Sequence, residues 1–382
     1  MSTNRHEATL DAFFALIRAG LWETADANLN LNLSDKVDWE KVFLLAEEQS
    51  VIGVVLAGLE HSRVKPLQEL LLQWIGEVQM LEQQNKEMNS FIAELIEKLR
   101  AADIYTLLVK GQGIAQCYER PLWRACGDVD FFLSDSNYAR AKVFLMPLAS
   151  SIEAEGLYKK HFEMVIDPWV VELHGSMRSG LSSRMDRVID ETQKDVFYGG
   201  NVRSWLNGKT QVFLPAVNCD VIFVFTHFIK HFYCEGLGLR QICDWCRLLW
   251  TYRSKIDTEL LEKRLRKMRL VSEWKAFAAY AVEYLGMPSE AMPLYSDDVK
   301  WKKKADKISA FILEVGNMGH NRGSWLMVND SWLGRQYVVR KVFSMFRRIG
   351  DLMNHARIFP LDTLRFSFTI MKNGLVSAVR GE

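Results

Sequence analysis

The run Gly127-Asp128-Val129-Asp130 sets two aspartates one residue apart. Side chains alternate along an extended strand, so Asp128 and Asp130 share one face and Val129 and Phe131 take the other. Two adjacent carboxylates repel each other. A hard dication such as Mg²⁺ (or Mn²⁺) relieves that repulsion and completes its shell with water and substrate phosphate oxygens. A solvated strand end or a capping acid suits the same short motif, so its surroundings decide. Further on, Val170-Val171-Glu172-Leu173-His174 repeats the alternation and brings a third carboxylate, Glu172, with His174 on the same face. Three acids on adjacent strands suit two metal ions about 3.5–4 Å apart, the arrangement that stabilises attacking and leaving oxygens in phosphoryl-type transfer.

Upstream lies Lys110-Gly111-Gln112-Gly113. Glycines permit close backbone approach and a helix start favours anions, which makes Lys110, Gly111 and Gln112 a phosphate cradle in outline. The spacing is not that of a P-loop, and a purely structural turn is the alternative. Arg124, four residues before Asp128, offers a guanidinium of the geometry that phosphate oxygens accept.

The elements that must position these groups are legible in the apolar pattern. Residues Thr9 to Arg100 read as helical, with a long amphipathic stretch from Pro66 to Ala102. Tyr105 to Val109 reads as a buried strand, followed by a tight turn and a helix to Tyr118. Asp128 to Leu133 is the second strand, and Ser134-Asp135-Ser136 caps the next helix. Phe162 to Ile166 and Val170 to His174 form a strand pair with Asp167-Pro168 in the turn. This order belongs to a small mixed sheet covered by helices. From Asn218 the chain is helical again, with periodicity over Val221–Trp250, Leu260–Tyr284, Lys302–Val315 and Gln336–Met353.

Leu107-Leu108-Val109-Lys110-Gly111, Tyr118, Arg124, Gly127-Asp128-Val129-Asp130 and Val171-Glu172-Leu173-His174 together resemble the uncharacterised nucleotidyltransferase family of the polymerase-beta-type superfamily. The resemblance implies an α+β fold: a small mixed-sheet nucleotidyltransferase core over 103–215, between an N-terminal helical region (1–102) and a C-terminal one (216–382). It implies Asp128, Asp130 and Glu172 as catalytic metal ligands. Lys110-Gly111 stands where the superfamily generally has Gly-Ser, so the phosphate-binding role does not transfer directly. The expected activity moves a nucleoside monophosphate from an NTP to an acceptor hydroxyl of unknown identity. The alternatives are a metal-dependent glycosyltransferase using a nucleotide sugar and a non-catalytic nucleotide-binding regulatory protein.

The resemblance continues through His227, His231 and the stretch from Glu235 to Trp245. A transfer enzyme needs a second pocket, and clefts between structural units favour ligands. His174, His231, Arg240 and Asp244 are the acceptor-side candidates, with Asp244 expected to fix the Arg240 guanidinium. His227 and His231 beside Cys234, Cys243 and Cys246 also invite a zinc reading, against which packed thiols in a helix are the plainer explanation. Arg335, Arg340, Lys341, Arg347, Arg348, Arg357 and Arg365 make the C-terminal region basic and amphipathic. It suits docking on the core with a solvated basic face, or peripheral contact with a polyanion or a membrane surface.

Composition sets the remaining bounds. The 382 residues include 48 basic and 47 acidic ones, so no long-range field draws in nucleic acid or an anionic membrane. No run approaches the length of a membrane span, and the N-terminal apolar stretch is too short for a secretory signal. The expectation is a cytoplasmic protein without integral membrane association, its six cysteines reduced.

Overall fold

Apolar side chains recurring at three and four residues make helices of most of the chain. The computed structural model describes residues 2–22, 36–153, 160–198, 202–234, 236–316 and 350–380. Helices α1 (Ser2–Leu21), α2 (Trp39–Glu48) and α3 (Ile52–Glu60) precede the 34-residue α4 (Gln68–Ala101). Helices α1 and α3 cross at Gly20 and Gly58, where an added Cβ would run into the backbone carbonyls of Val54 and Leu16. The buried stripe of α4, which includes Met88, Ile92, Leu95 and Leu99, is the floor on which the sheet lies.

Five strands form that sheet in the order β1-β2-β5-β4-β3. They are β1 (Leu107–Val109), β2 (Asp128–Phe132), β3 (Ser151–Ile152), β4 (His161–Ile166) and β5 (Trp169–His174). The central pair, β2 and β5, is parallel and the other pairs are antiparallel. Helix α5 (Gly111–Ala115) follows β1, and α6 (Asp135–Leu145) follows β2. The α+β expectation therefore holds, as do both the Asp128 strand and the strand pair around the Asp167-Pro168 turn.

Alternation sorts the two faces. Leu108, Val129, Phe131, Val171 and Leu173 pack with α4 and with Tyr138 and Leu145 of α6 in one core. Leu107, Val109 and Phe132 face the other way, into a larger core shared with the N- and C-terminal helices. The polar residues of β2 and β5 lie on that second face.

Beyond the sheet come α7 (Ser183–Tyr198) and a separate hairpin, β6 (Arg203–Asn207) and β7 (Thr210–Leu214). Helices α8 (Val217–Cys234) and α9 (Leu239–Thr251) stand over the polar face. They are backed by α10 (Thr258–Met268), α11 (Val271–Glu283) and α12 (Val299–Val315). The Leu260–Tyr284 periodicity is thus split in two, because Arg269 takes a left-handed conformation at φ 60° and ends α10. Fully buried Phe225, Phe228, Trp245 and Trp274 lock α8, α9 and α11 together, with the Trp245 and Trp274 rings 4.8 Å apart at 85°. Each such side chain contributes about 1.5–3 kcal/mol by leaving water, and together they make a rigid back wall.

Residues 350–358 are helical, and α13 (Pro360–Arg380) seats Phe366 and Ile370 in the core. Arg365 pairs with Asp362 and lies over the Phe366 ring. The described part of the C-terminal region therefore docks on the molecule. Arg335, Arg340, Lys341, Arg347 and Arg348 lie outside the described residues. Among those described, no helix is long and apolar enough to cross a membrane.

Candidate active site

Strand register brings the acids together. Asp130 on β2 is paired with Glu172 on β5, and Asp128 lies two residues back on the same face. One carboxylate oxygen from each of Asp128, Asp130 and Glu172 falls within 4.8 Å of the others. Asp130 is 1% exposed, and among the described residues its Oδ2 has no hydrogen-bond partner. A buried carboxylate oxygen without a partner is costly, and a cation in the cavity would satisfy it.

Nitrogen donors surround this cluster. Lys110 sits at φ 55°, an uncommon conformation for a residue with a Cβ, and its Nζ lies 2.8 Å from Asp130 Oδ1. His174 Nε2 is 2.7 Å from the same oxygen and 3.2 Å from Glu172 Oε2. His161 Nε2 is 3.1 Å from Glu172 Oε2. The proton affinities follow. Asp128 is raised, first by the charge of Asp130, then by burial and by Glu172. Burial opposes ionisation of Glu172, but hydrogen bonds with His161 and His174 and the Lys110 charge win, holding it well below the usual carboxylate range. Burial also opposes the charge on Lys110; Asp130 and Glu172 outweigh it and raise its pKa. For His174, burial and the Lys110 charge pull down, yet the bonds to Asp130 and Glu172 leave it raised.

A cavity of about 370 Å³ opens over these groups. On its sheet side it is lined by Lys110, Gly111, Arg124, Asp128, Asp130, Glu172 and His174; on its helical side by His227, His231, Arg240, Gln241 and Asp244. The sequence-expected acceptor residues and the acids therefore share one space. The internal pairing differs from expectation. Asp244 does not fix Arg240: it accepts from Arg124 Nε at 3.1 Å, from Arg124 Nη2, and from the Tyr118 hydroxyl at 2.8 Å. Arg240 instead donates from Nη1 to the Ala125 carbonyl at 2.9 Å, and its buried Nε has no hydrogen-bond partner among the described residues. His231 Nε2 lies 3.0 Å from His227 Nε2. Burial, then Lys110 and His231, push His227 well below the ordinary histidine value.

Gln112 does not line the cavity. On the short α5 it turns toward α4, where its Nε2 donates to Asn85 Oδ1 at 2.6 Å. Asn85 in turn donates to the Leu122 and Arg124 carbonyls at 2.8 and 2.9 Å. The Gln112 side chain thus supports, through Asn85, the loop that carries Arg124. Cys243 and Cys246 are fully buried, and burial drives both thiols far up, so neither is a thiolate. The zinc reading of the α8–α9 cysteines accordingly gains no support; the donor groups of three or more among the described residues all lie on the sheet.

His161, Ser176, Arg178 and Ser179 also line the cavity, beyond the residues that the sequence pattern points to. His161 was recoverable: the tight turn between β4 and β5 fixes the register that sets it opposite His174. Arg178 is held by Asp190 of α7 at 2.7 Å, a partner without a local sequence signal.

A family model described as an uncharacterised nucleotidyltransferase matches residues 35–286, which include the sheet and both walls of the cavity. No curated protein and no solved structure matches the chain.

Proposed function

Given that the chain belongs to this uncharacterised nucleotidyltransferase family, we propose that it transfers a nucleoside monophosphate from an NTP to an acceptor hydroxyl bound in the same cavity. The observation that carries this reading is the shared lining: three convergent carboxylates on the sheet and a polar helical wall face one space.

Asp128, Asp130 and Glu172 fit a dication, because two of them repel each other and Asp130 keeps a buried oxygen without a partner. Mg²⁺ or Mn²⁺ held there would offset phosphate charge and make a nearby hydroxyl more acidic. The remaining work belongs to the chain. Lys110 and Arg124 face the triphosphate and oppose its charge. Arg124 arrives already oriented by Asp244 and Tyr118, so little side-chain freedom is lost on binding. On the acceptor side, Arg240, His227 and His231 line the cavity and supply guanidinium and ring nitrogens for a hydroxyl.

The acceptor oxygen bonds to the α-phosphorus as the bond from that phosphorus to the pyrophosphate oxygen breaks, and pyrophosphate leaves. The acceptor proton passes to Glu172 or to solvent. Membership of the family favours this reading over glycosyl transfer from a nucleotide sugar.

The test is to incubate the protein with NTPs labelled at the α-phosphate, Mg²⁺ or Mn²⁺, and separate pools of metabolites, proteins and RNA. Label should appear in one pool with pyrophosphate release, and disappear with Asp130→Asn. Nucleotide binding without transfer to any pool would overturn the enzyme reading in favour of a binding module.

A further inference from the structure

The two imidazoles beside the acids form a donor set of their own. His161, Glu172 and His174 each place one ligand atom within 4.8 Å of the other two. Both Nε2 atoms approach the same oxygen, Glu172 Oε2, at 3.1 and 3.2 Å. The rings lie side by side, with centroids 4.9 Å apart and planes inclined by 32°. Their placement is rigid, because His161 and His174 are directly paired across β4 and β5 and do not sit on a loop. Both line the cavity, so an ion has a way in and room for further ligands.

The chemistry of this set differs from that of the aspartates. Mg²⁺ prefers oxygen and dehydrates reluctantly, whereas imidazole nitrogen suits Zn²⁺ and its first-row neighbours. We propose that His161, Glu172 and His174 bind a first-row transition-metal dication of the Zn²⁺ type, at a site adjoining the all-oxygen site of Asp128 and Asp130 and sharing Glu172 with it. This site needs only its three side chains and does not rest on nucleotide transfer. His174 Nε2 also holds Asp130 Oδ1 at 2.7 Å. When that nitrogen turns to a metal, Asp130 loses one of its two polar partners and is freer to serve the neighbouring site. The two sites are therefore coupled.

Co²⁺ serves as the probe. Metal-stripped full-length protein titrated with Co²⁺ should bind one equivalent with the visible absorption of a nitrogen-ligated ion. Zn²⁺ should displace it; Mg²⁺ at the same concentration should not. His161→Ala and His174→Ala should each weaken Co²⁺ binding by at least about tenfold. Asp128→Ala, which dismantles the carboxylate set and leaves these three donors intact, should keep the spectrum. An unchanged spectrum in His161→Ala, or no Co²⁺ binding by the parent, overturns the site. If either histidine variant fails to fold by circular dichroism, the parent still decides: displacement by equimolar Mg²⁺ assigns the ion to oxygen ligands and sinks the proposal. A parent that binds no Co²⁺ yet still binds NTP with Mg²⁺ removes this site alone. The reverse pattern removes only the nucleotide reading.

Discussion

Neutralising Asp128 and neutralising Asp130 are expected to move stability in opposite directions. Asp128 suffers the charge of Asp130, so Asp128→Asn should raise stability by about 1 kcal/mol, the usual scale for relieving a functional site. Asp130 holds both Lys110 and His174, so Asp130→Asn should cost about 1–3 kcal/mol. Thermal melts without added metal measure both, and calorimetry should find Mg²⁺-dependent NTP binding lost in each. A pH signature accompanies them. A carboxyl raised in the folded chain binds its proton more tightly there, so its contribution is present below the ordinary value of 3.8 and is lost as pH rises through the raised one. Asp128→Asn should remove that part of the slope. Lys110→Ala should weaken NTP binding by about tenfold and NMP binding by much less, since its partners would be the outer phosphates. Equal losses for NTP and NMP would argue against that role. Gln112→Ala should instead lower stability by about 1–3 kcal/mol by leaving buried Asn85 unsatisfied, with the NTP stoichiometry unchanged.

At the scale of elements, periodicity was enough to find β1, β2, β4, β5 and the long α4, because alternation and the helical stripe are local properties. It also set Glu172 beside the aspartates. What it missed is non-local or small. The contact of Arg124 with Asp244 joins residues 120 positions apart, so nothing near either one announces it. The inward turn of Gln112 depends on how a five-residue helix sits on α4, which no periodicity encodes. The β6–β7 hairpin does carry a local signal: after Asn207, Gly208 at φ +61° opens a two-residue turn. The α1–α3 crossing yields an element-level test. Gly58→Ala forces a methyl against the Leu16 carbonyl and should destabilise by about 1–3 kcal/mol, read as a lowered Tm.

Across the whole molecule, the N-terminal helix is bound into the C-terminal half. Trp22 Nε1 donates to the Leu285 carbonyl at 2.6 Å, and Arg247 Nη1 to the Leu21 carbonyl at 2.7 Å. Phe13, Leu16 and Ile17 share one core with α8, α9 and α11. Helix α1 lies outside the family-matched residues 35–286, yet a fragment trimmed to that match would bare this core. It should therefore be insoluble or melt far below the full chain; a cooperative melt at the parent Tm would contradict the shared core. The cavity has a different division of labour. Its helical wall draws on residues between Phe223 and Asp244, while the acids stand on two strands, Asp128 and Asp130 on β2 and Glu172 on β5. On the proposed function, the chemistry and the choice of acceptor would be written in different parts of the gene. Substitutions confined to α8 and α9 would then be expected to change what is modified while the strands stay fixed, provided that the joint of Tyr118, Arg124 and Asp244 is kept.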